Sequence, residues 1–148
     1  MMQLKEQIQS DLKNALRARN ELEVSTLRML LASLINKEKE RGLEITDEEA
    51  QGILLTEVKK RKEAAEAFAK GGREEMAEKE RKEMAILQQY LPEQLAEEEV
   101  RKLVKEAIAQ TGAKTPQDMG RVMAALMPSV KGRADGAFVS ALVKELLA

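Results

Sequence analysis

The chain has 148 residues, 43% of them hydrophobic and 34% charged, with 25 Lys and Arg against 26 Asp and Glu. That balance suits a helical globular protein better than a disordered one, and a net charge of -1 points to no partner by itself. The absence of cysteine and histidine excludes disulfides, thiolate nucleophiles and zinc-thiolate sites, and removes the commonest general base, the Ser-His-Asp arrangement and most transition-metal sites.

In chain order, Leu4, Ile8, Leu12, Ala15 and Leu16 recur at three and four residues and predict an amphipathic helix over 3–18. A second helix runs from about Leu22 to Arg41, through Val24, Leu27, Leu30, Leu31, Leu34 and Ile35, and stops at Gly42, so the pair reads as a hairpin. Thr46 with Glu49 three residues later is a capping box. It starts a third helix that carries Ile53, Leu54, Val58, Ala65 and Phe68 and ends at Gly71-Gly72. A fourth is expected from about Arg73 to Tyr90, carrying Met76, Met84, Leu87 and Tyr90 and charged over most of its length.

Pro92 lacks a backbone donor and pushes Leu91 out of the helical region, so the fourth helix ends there and a domain boundary is expected. Three short helices follow. One carries Val100, Leu103, Val104, Ala107 and Ile108 and stops at Gly112. The next opens with Thr115 as cap, Pro116 in the first position and Asp118 in the third. The last carries Val139, Leu142, Val143, Leu146 and Leu147. No alternating strand pattern occurs. The expectation is an all-α protein with an N-terminal helical bundle or hairpin domain over 1–92 and a small three-helix domain over 93–148.

Chemistry is sparse. No G-x-x-x-x-G-K-[ST], no G-x-G-x-x-G after a strand and no G-x-S-x-G elbow is present, so nucleotide hydrolysis, dinucleotide binding and acyl transfer lack their loops. The many carboxylates read as solvated helix faces. With Phe68, Tyr90 and Phe138 the only aromatics, base stacking is poorly supplied, and any RNA contact should rest on shape and phosphates.

The densest basic run, Lys59-Lys60-Arg61-Lys62, reads as a helix face paired at i+4 with Glu63 and Glu66, with nucleic-acid contact as the minority reading. Met119, Met123 and Met127 fall with Val122 and Leu126 on one stripe that reads as core. The opposite face is small and nearly uncharged: Gln117, Gly120, Ala124 and Ala125, with Arg121 and Asp118. Glycine costs a helix interior about 1 kcal/mol relative to alanine, so Gly120 reflects either close helix packing or close approach of a flat ligand such as an RNA backbone.

Between Met119 and Ala134 the chain has Arg121, Lys131 and Arg133 and no acid. Pro128 is expected to end one helix, Gly132 to take a positive φ and Asp135 to cap the next helix. That accounts for the segment MPSVKGRADG as a turn. A helix N-terminus beside two cations is equally a phosphate site.

These residues carry a resemblance. YLPEQLAEEE followed by TPQDMGRVMAALMPSVKGRADG resembles the signature of the YqeY-like family, also called GatB/YqeY domain proteins, and KKRKEAAEAF with LRMLLASLINKEKERG fits its N-terminal half. One departure is Ala96, where a serine cap would be expected. The resemblance implies an N-terminal bundle and a C-terminal domain similar to the tail of the B subunit of the glutamine-dependent aminoacyl-tRNA amidotransferase, a tail that contacts tRNA away from the catalytic centre. Carried over by position, it implies RNA contact at Gly120, Arg121, Lys131, Gly132, Arg133, Ala134, Asp135 and Gly136. The implied function is a non-catalytic tRNA-associated binding protein. The alternative is an accessory subunit of a carbon-nitrogen ligase using glutamine as amido donor. Implied partners are tRNA and components of the amidotransferase or of aminoacyl-tRNA synthetases. No cofactor, metal or membrane is expected, and a chain start without an apolar core suggests a cytoplasmic protein.

Overall fold

A computed structural model describes residues 3–148, and among them the chain is all-α. The helices gather into two compact units that divide between Leu91 and Pro92. Met1 and Met2, part of the expected 1–92 domain, lie outside the described residues.

The first unit holds α1 (Leu4–Ala18), α2 (Glu21–Arg41), α3 (Asp47–Lys70) and α4 (Glu74–Gln88). Helix ends fall where local chemistry puts them. Gly42 takes φ 72 after α2 and returns its N–H to the Glu38 carbonyl. Thr46 and Glu49 form the expected capping box at the start of α3, and the Glu49 carboxylate also pairs with Arg41. Between α1 and α2 no glycine is present, and Arg19 itself takes the left-handed conformation at φ 56. That conformation is uncommon for a side-chain-bearing residue.

Ile8, Leu27, Leu30, Leu34, Leu54 and Leu87 are the fully buried centre of this unit. Polar ties hold its margins. Glu38 accepts hydrogen bonds from Lys5 at 2.6 Å and from the Ile45 N–H at 2.9 Å, which together hold its carboxyl below the usual carboxylate range. Half-buried Tyr90 donates to the Asp11 carboxylate at 2.5 Å, and burial first, then that bond, pushes its phenol well above the usual range.

Two expectations need correction here. Helix α4 begins at Glu74 and ends at Gln88, two residues short of the expected Tyr90, and of its apolar residues Met76 is exposed. The basic run is not simply a solvated face either: Arg61 is only 9% exposed. Its guanidinium donates to Glu57 at 3.0 Å, lies 3.4 Å from Glu83 of α4, and reaches the Met29 sulfur at 2.9 Å. Lys60 also points back to Glu57, at 3.7 Å.

The second unit holds α5 (Glu97–Thr111), a 3-10 turn (Pro116–Asp118), α6 (Met119–Val130) and α7 (Gly136–Leu147). Val100, Val104, Val122, Leu126, Val139 and Val143 form its centre. Ala96 stands at the N-cap of α5 with no side-chain acceptor, and Glu99 reaches back to its N–H at 3.5 Å, so half of a box survives the missing serine. Pro116 and Asp118 start a single 3-10 turn rather than the α-helix itself. Pro128 does not end α6, which continues to Val130. It sits in the last turn, where a proline interrupts one bond and the helix has little left to lose. The methionine stripe is only partly core: Val122, Leu126 and Val130 are buried, whereas Met127 is 41% exposed.

Candidate nucleic-acid interface

The segment after α6 is a clasp. Lys131 is the C-cap, exposed, and returns its N–H to the Met127 carbonyl. Gly132 is buried and takes φ 74, which lets the Arg133 and Ala134 N–H groups turn back onto the Val130 carbonyl. Asp135 then caps α7, its carboxylate accepting from the Ala137 N–H at 3.1 Å.

Arg133 fastens this turn to the start of the unit. Its Nε donates to the Glu93 carbonyl at 3.1 Å and its guanidinium to the Ser129 carbonyl at 3.2 Å. Its own carbonyl accepts from the Leu95 N–H at 2.8 Å, and Gln94 donates to the Gly132 carbonyl at 2.9 Å. Half-buried Ala134 packs against the core. Gly136 opens α7 with no heavy atom near where a Cβ would stand. In this turn Gly132, Arg133 and Ala134 are therefore held by structure, and the Asp135 carboxylate stands where an anion at the α7 N-terminus would sit.

The other sequence-singled residues lie on α6 itself. Gly120, Arg121, Ala124 and Pro128 are exposed and follow one another at helical spacing along its outward face, and the exposed C-cap Lys131 stands just past its end. From Arg121 to Lys131 that face is about 15 Å long at 1.5 Å per residue. Its side chains between the two cations are small and uncharged. Gly120 has nothing within 4 Å of a built Cβ and no positive φ, so packing within the chain does not require it. Arg121 donates to Asp118 at 2.8 Å and to the Thr111 carbonyl at 3.3 Å, yet its side chain stays 61% exposed. Asp118 accepts from the Lys114 N–H, from Arg121 and from the Thr115 N–H, and these bonds hold its carboxyl far below the usual range. It is a fixture of the turn, and its remaining charge is largely answered.

Sequence reasoning missed the outward arc of α2, because apolar residues surround that helix and no single stripe stands out. It also missed the cations at the α1–α2 turn. Among the described residues no group of three or more acidic side chains is placed to hold a metal ion. No helix among them is long and apolar enough to cross a membrane.

An all-α chain of two helical units, the second closed on itself by a Lys-Gly-Arg-Ala-Asp-Gly clasp, is the class that this fold and site define. The chain belongs to the YqeY-like family: the pattern described as Yqey-like protein matches residues 5–147. It is 33% identical over 143 residues to the altered inheritance of mitochondria protein 41, mitochondrial, of Pyrenophora tritici-repentis, covering 95% of this chain and 78% of that protein. The proteins of the same name from Eremothecium gossypii and Clavispora lusitaniae are 35% and 36% identical over 85 and 81 residues. Those matches cover 57% and 55% of this chain and 46% and 47% of theirs, so the matched part spans about half of these two relatives.

Proposed function

We propose that the chain is a non-catalytic, tRNA-associated binding protein that lays the outward face of α6 on the RNA backbone, with Arg121 and Lys131 as its phosphate contacts. The observation that carries the reading is the open space above Gly120 on a face with a cation at each end. Small side chains let a sugar-phosphate surface approach, and the cations anchor it by releasing counterions. The clasp residues Gly132, Arg133, Ala134, Asp135 and Gly136 place Lys131 at the end of that face. Resemblance to the amidotransferase tail supports the same reading, and its kinase and amidase chemistry is not carried over.

Binding of total tRNA across a salt series tests it. Arg121→Ala with Lys131→Ala should weaken binding and flatten the log-log salt slope by about 1.4–1.8, the value for two phosphates. An unchanged slope would sink the reading. Arg133 is left in place because its loss would also open the clasp.

Gly120→Ala separates structure from function with opposite signs. An exposed helical glycine replaced by alanine should raise stability by up to about 1 kcal/mol, while the added methyl lowers tRNA affinity. A denaturation midpoint and a dissociation constant measured on the same variant check both. Higher stability with undiminished affinity would mean that the backbone is not approached at Gly120.

The uncharged side chains Ala124, Ala125 and Met127 equally suit a protein surface, which favours as a second reading an accessory partner of a glutamine-dependent carbon-nitrogen ligase or an aminoacyl-tRNA synthetase. Co-purification of such a partner, with no nucleic-acid absorbance, would select it. A cytoplasmic location stays part of the proposal. The relatives named above carry the word mitochondrial in their names.

A further inference from the structure

Among the described residues of the first unit, Arg17, Arg19, Arg28 and Arg73 have no ion pair or side-chain hydrogen bond, whereas Arg41, Arg61 and Arg81 are paired with carboxylates. Arg19 and Arg28 line a shallow groove of about 480 Å³ together with Leu16, Glu21, Val24 and Ser25. Leu16 is 47% exposed there.

The groove runs into the outward arc of α2, where Ser25, Arg28, Met29, Ala32, Ile35 and Asn36 recur at helical spacing and are all exposed. No carboxylate lies on this arc between Ser25 and Asn36, in a chain that is 34% charged. Among the described residues, Leu16, Met29 and Ile35 are three of the six exposed large hydrophobics. From Ser25 to Ile35 the arc is about 15 Å long, the contact length of about three helical turns, and Arg19 and Arg28 lie toward its N-terminal end.

We propose that this face docks an amphipathic helix of a partner protein, one whose apolar stripe is flanked by Asp and Glu. Apolar side chains of the partner cover Leu16, Met29 and Ile35, and its carboxylates answer Arg19 and Arg28, each with the bidentate geometry that guanidinium offers. A nucleic acid would answer the arginines and leave the strip wet. A basic or neutral helix would cover the strip and leave the arginines opposed or unanswered. The left-handed Arg19 lines the groove at a turn where glycine would hold the backbone with less strain. This inference is independent of the RNA reading, since it concerns the other unit.

The test is a display selection of helical peptides, with a fixed leucine stripe and random flanking positions, against the full-length chain. Arg19→Gly with Arg28→Ala serves as the counter-target. The expected result is enrichment of Asp and Glu at the flanking positions, and at least tenfold weaker binding of selected peptides to the double variant. Arg28→Glu, at an exposed helical position, gives the same reading should the double variant fold poorly. Enrichment of Lys and Arg, no enrichment at all, or equal binding to wild type and variants overturns the proposal. So does loss of tRNA binding in the same variants with no peptide selected, which assigns the face to nucleic acid. A dimer in sedimentation that Ile35→Glu abolishes assigns it to a second copy of the chain and also overturns it.

Discussion

Arg61→Ala is expected to destabilise the first unit by about 3–5 kcal/mol, the usual loss when one partner of a buried ion pair is removed. Arg61 sits between Glu57, at 3.0 Å on its own helix, and Glu83, at 3.4 Å across the α3–α4 hairpin. The side chains of Glu57 and Glu83 are only 14% and 11% exposed. Without the guanidinium both carboxylates face each other in a poorly hydrated place, and only Lys60 at 3.7 Å from Glu57 remains.

The alternative cause of such a loss is the cavity left by the arginine stem. Arg61→Met with Glu83→Leu separates the two, because it fills the space and removes one orphaned charge. Replacing buried ion pairs by apolar residues of similar volume is often neutral or better, so the double variant should regain most of the loss. Denaturant midpoints of the three proteins decide it. If the double variant is no more stable than Arg61→Ala, the orphaned-charge account fails. The Nε of Arg61 has no hydrogen bond within the structure, only the more distant Glu83 carboxylate. That unmet donor is one reason the cluster adds less stability than its charges alone suggest.

Arg61 also shows where reading the sequence stops. Within KKRK nothing marks the third residue as buried, because what buries it is Glu83 and the Met29 sulfur, 22 and 32 residues away. Helix ends, by contrast, were legible because their causes are local. Gly42, the Thr46–Glu49 box, Gly112 and Asp135 act within four residues of where they stand. The candidate site divides the same way. The positive φ of Gly132 and the cap by Asp135 follow from the turn itself, but the bond from Arg133 to the Glu93 carbonyl closes over 40 residues. Periodicity then misjudged Met127, since a stripe of apolar spacing is wider than the part that the core covers in a helix's last turn, and Pro128 did not end α6 because a last turn tolerates proline.

Leu126→Ala is expected to melt the second unit and leave the first folded. Leu126 is 2% exposed at the centre of the α5–α6–α7 core, and such a truncation costs about 2–5 kcal/mol. At roughly 0.05–0.15 kcal/mol per residue, a unit running from Pro92 to Ala148 holds about 3–9 kcal/mol in all. So small a core has little surplus from which to absorb the cavity. On the proposal that each unit is a domain with its own folding transition, amide protons of α5, α6 and α7 should lose exchange protection in the variant. Those of α1 to α4 should keep it. Leu54→Ala, in the core of the first unit, should do the reverse. Simultaneous loss along the whole chain in either variant would mean one cooperative unit and would remove the expected boundary at Pro92. The same variants also locate the RNA reading: with α6 melted, Leu126→Ala should abolish tRNA binding, and Leu54→Ala should spare what the outward face of α6 contributes.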